Sequence, residues 1–129
     1  MMLPWDLEDW LTDTGGRVVE KEAKFGNKSL SEQEQLILEI WLLDTEARNG
    51  GLSQYFANHG LERWEKCVAL ASADVIPSFP IFAKGVTVLL SGNPDPYLAL
   101  IERDAEANDL YCTYQPFIVA ELQRAVVNA

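Results

Sequence analysis

The sequence predicts an all-α fold, a single-domain bundle of about six to seven short helices. Apolar residues recur at helical spacing along most of the chain, and clusters of glycine and proline divide this pattern into short segments. No two stretches alternate as paired strands would. With 129 residues, of which 48% are hydrophobic, the chain is long enough to bury one core, so we expect residues 1–129 to form one domain.

The N-terminal third contains the best helix of the sequence. Leu3 to Leu11 has the spacing of a short amphipathic helix, whereas Arg17 to Phe25, which glycines bracket, fits either a helix or a loop. Glu32 to Arg48 is predicted as a helix because Ser31 and Glu34 form a capping-box pair ahead of an apolar stripe. The stripe consists of Leu36, Ile37, Ile40, Trp41, Leu43 and Ala47.

Three acids of this helix are predicted in different settings. Glu39 and Glu46 lie outside the stripe. Asp44 lies on the apolar side, where a carboxylate needs a hydrogen-bond partner, so we expect it to make a structural bond near the glycines that follow.

Glycine and proline mark the remaining helices. Asn49-Gly50-Gly51 ends the first long helix, and Leu52 to Asn58 is predicted as a second short one that Gly60 closes. A third helix is predicted from Leu61 to Ala73, before Pro77. Ser78 to Leu90 is predicted as a helix with Pro80 in its first turn, although the β-branched end of this segment also fits a strand.

The C-terminal part is predicted to hold two further helices. Asp95 or Asn93 is expected to cap a helix that carries Tyr97, Leu98, Ile101 and Ala105. Pro116 is expected to start the last helix, which ends near residue 127. The residues of this helix predicted to face inward are Phe117, Ile118, Leu122 and Val126.

The acidity of the chain limits its function. Twenty Asp and Glu against ten Lys and Arg give a formal net charge of -10, which repels phosphate backbones and anionic membranes. Direct binding of nucleic acid or of a membrane is therefore not expected. A negative surface either keeps the protein soluble or imitates DNA for a partner with a basic DNA-reading face.

Two sets of acids fall at helical spacing. On a continuous helix each set would form a row along one side, with neighbouring carboxylates about 5 to 10 Å apart. If the carboxylates take the place of DNA phosphates, such rows would bind the DNA-contacting arginines of a partner protein. The first row is Asp95, Glu102, Glu106 and Asp109. The second row is Asp6, Asp9 and Asp13.

Residues that carry catalysis or bind metals are scarce. Cys67 and Cys112 have no metal-ligand or disulfide spacing, and His59 is the only histidine. No phosphate-binding loop or nucleophile motif is present, so we expect a non-enzymatic protein. One histidine is too few for a typical transition-metal site, so we expect no metal. The acidic N-terminus lacks the features of a signal peptide and no apolar run is long enough to span a membrane, which predicts a cytoplasmic protein.

Polar residues surround the double glycine. This motif consists of Glu46, Asn49, Gly50, Gly51, Gln54, Tyr55, Phe56 and Asn58. Either its polar side chains form a hydrogen-bond lattice that sets the angle between two helices, or they line a recognition site. The pattern resembles the E-x-x-N-G-G-F-x-Q-[FY]-[FY]-x-N core of a bacterial family of small acidic helical proteins that includes the neisserial DNA-mimic protein, with Leu52 in place of the usual phenylalanine.

The resemblance covers residues 31–91 and implies an all-helical single domain without a cofactor. For the characterised relative it implies a surface that imitates DNA and binds a transcription regulator in place of its operator. We therefore expect a basic DNA-binding protein as the partner. Two alternatives remain open: an immunity-type inhibitor of a basic toxin, and a small-molecule binder or enzyme that uses Glu46, Asn49, Gln54, Asn58 and His59.

Overall fold

The computed structural model describes residues 4–127, which form six α-helices and one 3₁₀ helix, with no strand in this part of the chain. The helices are α1 (Pro4–Phe25), α2 (Glu32–Gly50), α3 (Leu52–Leu70), α4 (Phe79–Leu90), α5 (Pro96–Glu102) and α6 (Asp104–Val127). The 3₁₀ helix, Asn27–Ser29, lies between α1 and α2. The all-α prediction is confirmed, and the segment that also fitted a strand belongs to α4.

Predicted local signals form as expected at two helix starts. The Ser31 hydroxyl accepts a hydrogen bond from the Glu34 backbone N–H at 3.1 Å, and the Glu34 carboxylate accepts one from the Ser31 N–H at 2.9 Å. Asp95 caps α5 by accepting a hydrogen bond from the Leu98 N–H at 3.1 Å. Such caps are worth about 0.5–2 kcal/mol each.

Two glycines with positive φ set the direction of α3. Gly51, at φ 85°, lies between α2 and α3 and donates its N–H to the Ala47 carbonyl at 3.0 Å. Gly60, at φ 77°, interrupts α3, so residues 52–59 and 61–70 are two helical segments joined by a kink. The predicted boundary at Gly60 is confirmed, although the second segment ends at Leu70 and not at Ala73.

Aromatic rings join α3 to α4 inside the core. Trp64 contacts Tyr55, Phe56, Phe79 and Phe82, with ring centroids 5.6–6.3 Å apart. Aromatic pairs at such distances contribute about 0.5–1.5 kcal/mol beyond the area they bury. This cluster holds the second segment of α3 against α4.

The N-terminal helix is longer than the sequence predicts. It does not end near Leu11 but continues through Gly15 and Gly16 to Phe25. Tertiary packing explains this difference, because Gly15 lies against the indole of Trp41, where a Cβ atom would be 2.1 Å from Trp41 Cδ1. The glycine therefore permits close packing of α1 on α2 and does not mark a helix end. Leu3 lies outside the described residues.

The C-terminal helix also differs from the prediction. Pro116 lies inside α6, which begins at Asp104, so the prediction that Pro116 starts a helix is wrong. A proline removes one backbone hydrogen bond, and the carbonyl that loses this bond belongs to the exposed residue Cys112, where water can replace it. Ile118 and Leu122 are buried as predicted, whereas Phe117 is 58% exposed and does not face inward.

Glu39 lies outside the predicted apolar stripe and yet is not exposed. Its side chain is fully buried, because α1, α3 and α6 all pack around α2 and leave this helix little free surface. Two bases on α3 compensate the carboxylate: Arg63 Nε lies 2.7 Å from Glu39 Oε1, and Lys66 Nζ lies 3.7 Å from Glu39 Oε2. Glu46 is half-buried at the end of α2.

Candidate protein-binding face

One side of the α2–α3 corner is a polar lattice centred on Glu46. The Glu46 carboxylate accepts hydrogen bonds from the amide groups of Asn58 and of Gln54, the latter at 3.5 Å. His59 Nε2 lies 4.0 Å from the same carboxylate oxygen. Tyr55 and Phe56 of the motif are buried in the core beside this lattice. These contacts tie the end of α2 to the first segment of α3. They correspond to the first of the two interpretations of the motif, a hydrogen-bond lattice between two helices.

Asn49 does not join this lattice. Its side chain is exposed, and together with Gly50 and Gly51 it lines a groove of about 710 Å³ on the other side of the corner. The motif is therefore divided between two sides of the corner, and the predicted four-residue polar cluster is not one site.

The groove lies between three helices. Its walls come from Glu8 of α1 and from Asp104, Asn108 and Cys112 of α6, and the end of α2 forms its floor. Asn108 fits closely against the corner, since a Cβ atom at Gly51 would be 2.9 Å from Asn108 Oδ1. Glycine at position 51 thus serves both the turn and the approach of α6.

Asp44 anchors the floor of the groove, as the sequence predicts for a carboxylate on the apolar side of α2. It is 4% exposed and accepts hydrogen bonds from the Tyr111 hydroxyl, from Gln115 Nε2 at 3.4 Å and from Arg48 Nη1 at 3.2 Å. Burial, followed by the charge and hydrogen bond of Asp44, raises the pKa of Tyr111 well above its ordinary value, so the phenol stays a donor. This network joins α2 to α6.

The first half of α1 carries one predicted acidic row. Asp6, Asp9 and Asp13 lie on one continuous helix at i, i+3 and i+7; Asp9 and Asp13 are exposed and Asp6 is half-buried. Glu8, on the groove wall, is the fourth acid of this helix half. Their part in binding stays a prediction.

The other predicted row is not continuous. Arg103, at φ -126° and ψ 42°, separates α5 from α6, so the helix assumed for the row is broken. Asp95 caps α5, and Glu102 accepts a hydrogen bond from Asn93 at 3.3 Å. Glu106 and Asp109 remain together on α6, where Glu106 accepts a hydrogen bond from Arg103 Nε at 3.1 Å. This bond lowers the pKa of Glu106.

The two helix segments beside the groove contain acids and no bases. We call residues 4–14 of α1 and 104–115 of α6, together with the groove between them, the acidic end. Its acids are Asp6, Glu8, Asp9, Asp13, Asp104, Glu106 and Asp109, and neither segment contains Lys or Arg. Among the described residues that line the groove, Arg48 is the one base, and it pairs with Asp44. The second half of α1 is different, since it carries Arg17, Lys21 and Lys24.

Other kinds of site have little support in residues 4–127. No group of three or more His, Cys, Asp or Glu side chains within this range is placed to hold a metal ion. Among the described helices, none combines the length and apolar character needed to cross a bilayer. The sequence did not predict the groove residues Asn108, Tyr111 and Gln115. Asp44 shows that a hydrogen-bond partner is needed, but nothing in the sequence identifies Tyr111, 67 residues away, as that partner.

Fold and surface thus define an acidic, all-helical protein with a glycine corner and an acidic end. Residues 28–73 match the family model described as DMP19-like protein. This segment spans α2, the corner and α3, and the match confirms the family resemblance carried by the motif from Glu46 to Asn58. Comparison with curated proteins and comparison with solved structures each gave no match.

Proposed function

We propose that this protein acts by binding, not by catalysis, and that its acidic end occupies the DNA-contacting face of a basic DNA-binding protein such as a transcription regulator. The observation that carries the proposal is the acidic end itself, where two neighbouring helix halves hold seven acids without a base. The match to the DMP19-like family and the resemblance to a DNA-mimic protein support the same function.

The spacing of the acids suits this proposal. The rise of an α-helix is about 1.5 Å per residue, so Asp6, Asp9 and Asp13 are separated by about 4.5 and 6 Å along α1. This spacing is of the same order as the spacing of phosphates along DNA. Lys and Arg side chains that contact phosphates would meet carboxylates here, and the resulting affinity should fall steeply as salt increases.

The test starts from capture of partners. Immobilised protein is incubated with a native cell extract, and duplex DNA is then added as competitor. We expect a DNA-binding protein to be captured and to be displaced by DNA. Capture of no DNA-binding protein, or a captured one that DNA fails to displace, would contradict the proposal. Capture of a nuclease that the protein inhibits would identify the partner as a toxin and not as a transcription regulator.

A matched pair of triple variants locates the interface. Asp9, Asp13 and Asp109 are exposed acids of the acidic end, and their change to Asn should weaken binding by more than about tenfold. The control removes the same charge from exposed acids elsewhere, through Glu20→Gln, Glu32→Gln and Asp74→Asn. Equal weakening by both sets would show that only net charge matters.

Thiol labelling provides a direct footprint of the groove. Cys112 is exposed on the groove wall, whereas Cys67 is fully buried, and burial raises the pKa of the Cys67 thiol. A maleimide should therefore label Cys112 selectively in the native protein. We expect the bound partner to protect Cys112 and duplex DNA to restore its labelling. Unchanged labelling in a verified complex would place the partner on another face.

A further inference from the structure

A second groove shares no lining residue with the groove of the acidic end. It lies between the segment of α3 that follows Gly60 and helix α4, and its volume is about 400 Å³. Leu61, Trp64 and Val68 line it from α3, and Ala83, Thr87 and Leu90 line it from α4. Because the α3 wall begins at the Gly60 kink, the kink sets the direction of this wall.

The lining is apolar and has the spacing of two helix ridges. On each wall the first and last of these residues are seven positions apart, which corresponds to about 10 Å, or two helical turns. Leu61 is 42% exposed, and Thr87 donates its hydroxyl to the Ala83 carbonyl at 3.0 Å, so this polar group is satisfied within α4. A furrow between two such ridges is the shape into which the apolar stripe of a third helix packs.

The charges beside the groove indicate which helix would fit. Arg63 and Lys66 of α3 are engaged by the buried Glu39 carboxylate, at 2.7 Å and 3.7 Å. The other charged residues of this segment are Glu62 and Glu65, which are both exposed, and Glu65 lines the groove. The α3 side therefore presents two carboxylates to an incoming partner, whereas α4 carries a single charged residue, the exposed base Lys84. The carboxylates thus select a partner helix whose basic flank lies on the α3 side.

From this combination we propose that the α3–α4 groove is a docking site for a basic amphipathic helix of a partner protein. About two turns of the partner helix lay their apolar stripe between the two ridges. Lys or Arg residues on its flank face Glu62 and Glu65. This site is separate from the acidic end and does not depend on the function proposed for that end.

A designed peptide tests the chemistry of the site. The probe is a synthetic helix with Leu at i, i+4 and i+7 and Lys on one flank, and the control peptide carries Glu in place of Lys. Binding to the full chain is measured by isothermal titration calorimetry. We expect the basic peptide to bind at least about tenfold more tightly than the acidic one. No binding of the basic peptide, or equal binding of both, would overturn the proposal.

Two variants with equal starting exposure test the location. Leu61, in the groove, and Leu98, on α5, are each 42% exposed, so both positions should accept aspartate with similar effects on folding. Leu61→Asp should weaken binding of the basic peptide by about tenfold, and Leu98→Asp should leave it unchanged. Equal weakening by both would overturn the proposal. Self-association of the wild-type chain that Leu61→Asp abolishes would identify a second copy as the occupant and would also overturn it.

Discussion

The two sides of the α2–α3 corner use the same short motif differently. On one side Glu46 gathers Gln54 and Asn58 into a lattice that ties consecutive helices together. On the other side Asn49 is exposed and lines a groove together with Tyr111, whose hydroxyl donates to the buried Asp44 carboxylate. The lattice involves residues close in sequence, whereas the groove needs α1 and α6. A motif that looks like one polar cluster thus joins two helices on one side and lines an open groove on the other.

The backbone at Gly51 supports both sides, so its substitution should have the largest effect. Gly51→Ala places a Cβ at φ 85° and within 2.9 Å of Asn108 Oδ1. We expect the free energy of unfolding to fall by about 1–3 kcal/mol in a urea titration, the cost of holding a side chain in this backbone region.

Gly16 provides the control for this substitution. It lies inside α1, and a Cβ atom at this position would have no neighbouring atom within 4 Å, so Gly16→Ala should stabilise the protein by about 0.5–1 kcal/mol. A neutral Gly51→Ala variant would show that the corner does not require glycine.

Tyr111→Phe should destabilise the protein through the groove side of the corner and leave the lattice side intact. This change removes the hydroxyl that donates to the buried Asp44 carboxylate, and a buried acceptor that loses a partner costs about 1–3 kcal/mol. Thermal unfolding measures the loss. Tyr114→Phe is the control, because this half-buried tyrosine packs on Phe82, whereas Asp44 accepts its hydrogen bonds from other side chains. Equal losses in both variants would mean that the hydrogen bond to Asp44 contributes little.

The smallest effect on stability, and the sharpest on binding, is expected at the exposed residue Asn49. Asn49→Lys places a positive charge in the groove and should weaken partner binding by about tenfold, or about 1.4 kcal/mol. Asn58→Lys places the same charge on the lattice side, where the new ammonium group can replace the Asn58 amide as a donor to Glu46, and should leave binding unchanged. We expect Asn49→Lys to change the free energy of unfolding by less than about 0.5 kcal/mol. Loss of binding in the Asn58 variant alone would assign recognition to the lattice side.

Much of the fold follows from short-range signals. The Ser31–Glu34 capping box, the Asp95 cap and the corner at Gly51 each depend on backbone groups within a few residues, so they can be predicted from the sequence. The candidate site is harder to predict. Asp44 is recognisable as a buried acid, but its partner Tyr111 comes from a helix far along the chain.

The sequence alone determined the helical class, the glycine corner and the excess of negative charge, because spacing, capping and composition are properties of neighbouring residues. Only the tertiary structure decided that Gly15 and Pro116 lie inside helices, that Glu39 is buried against Arg63, and that Glu8 of α1 and Asp104 of α6 line one groove. The physical reason is that burial and ion pairing depend on which helices pack together. Residues on α1, α2 and α6 become neighbours only when the bundle assembles.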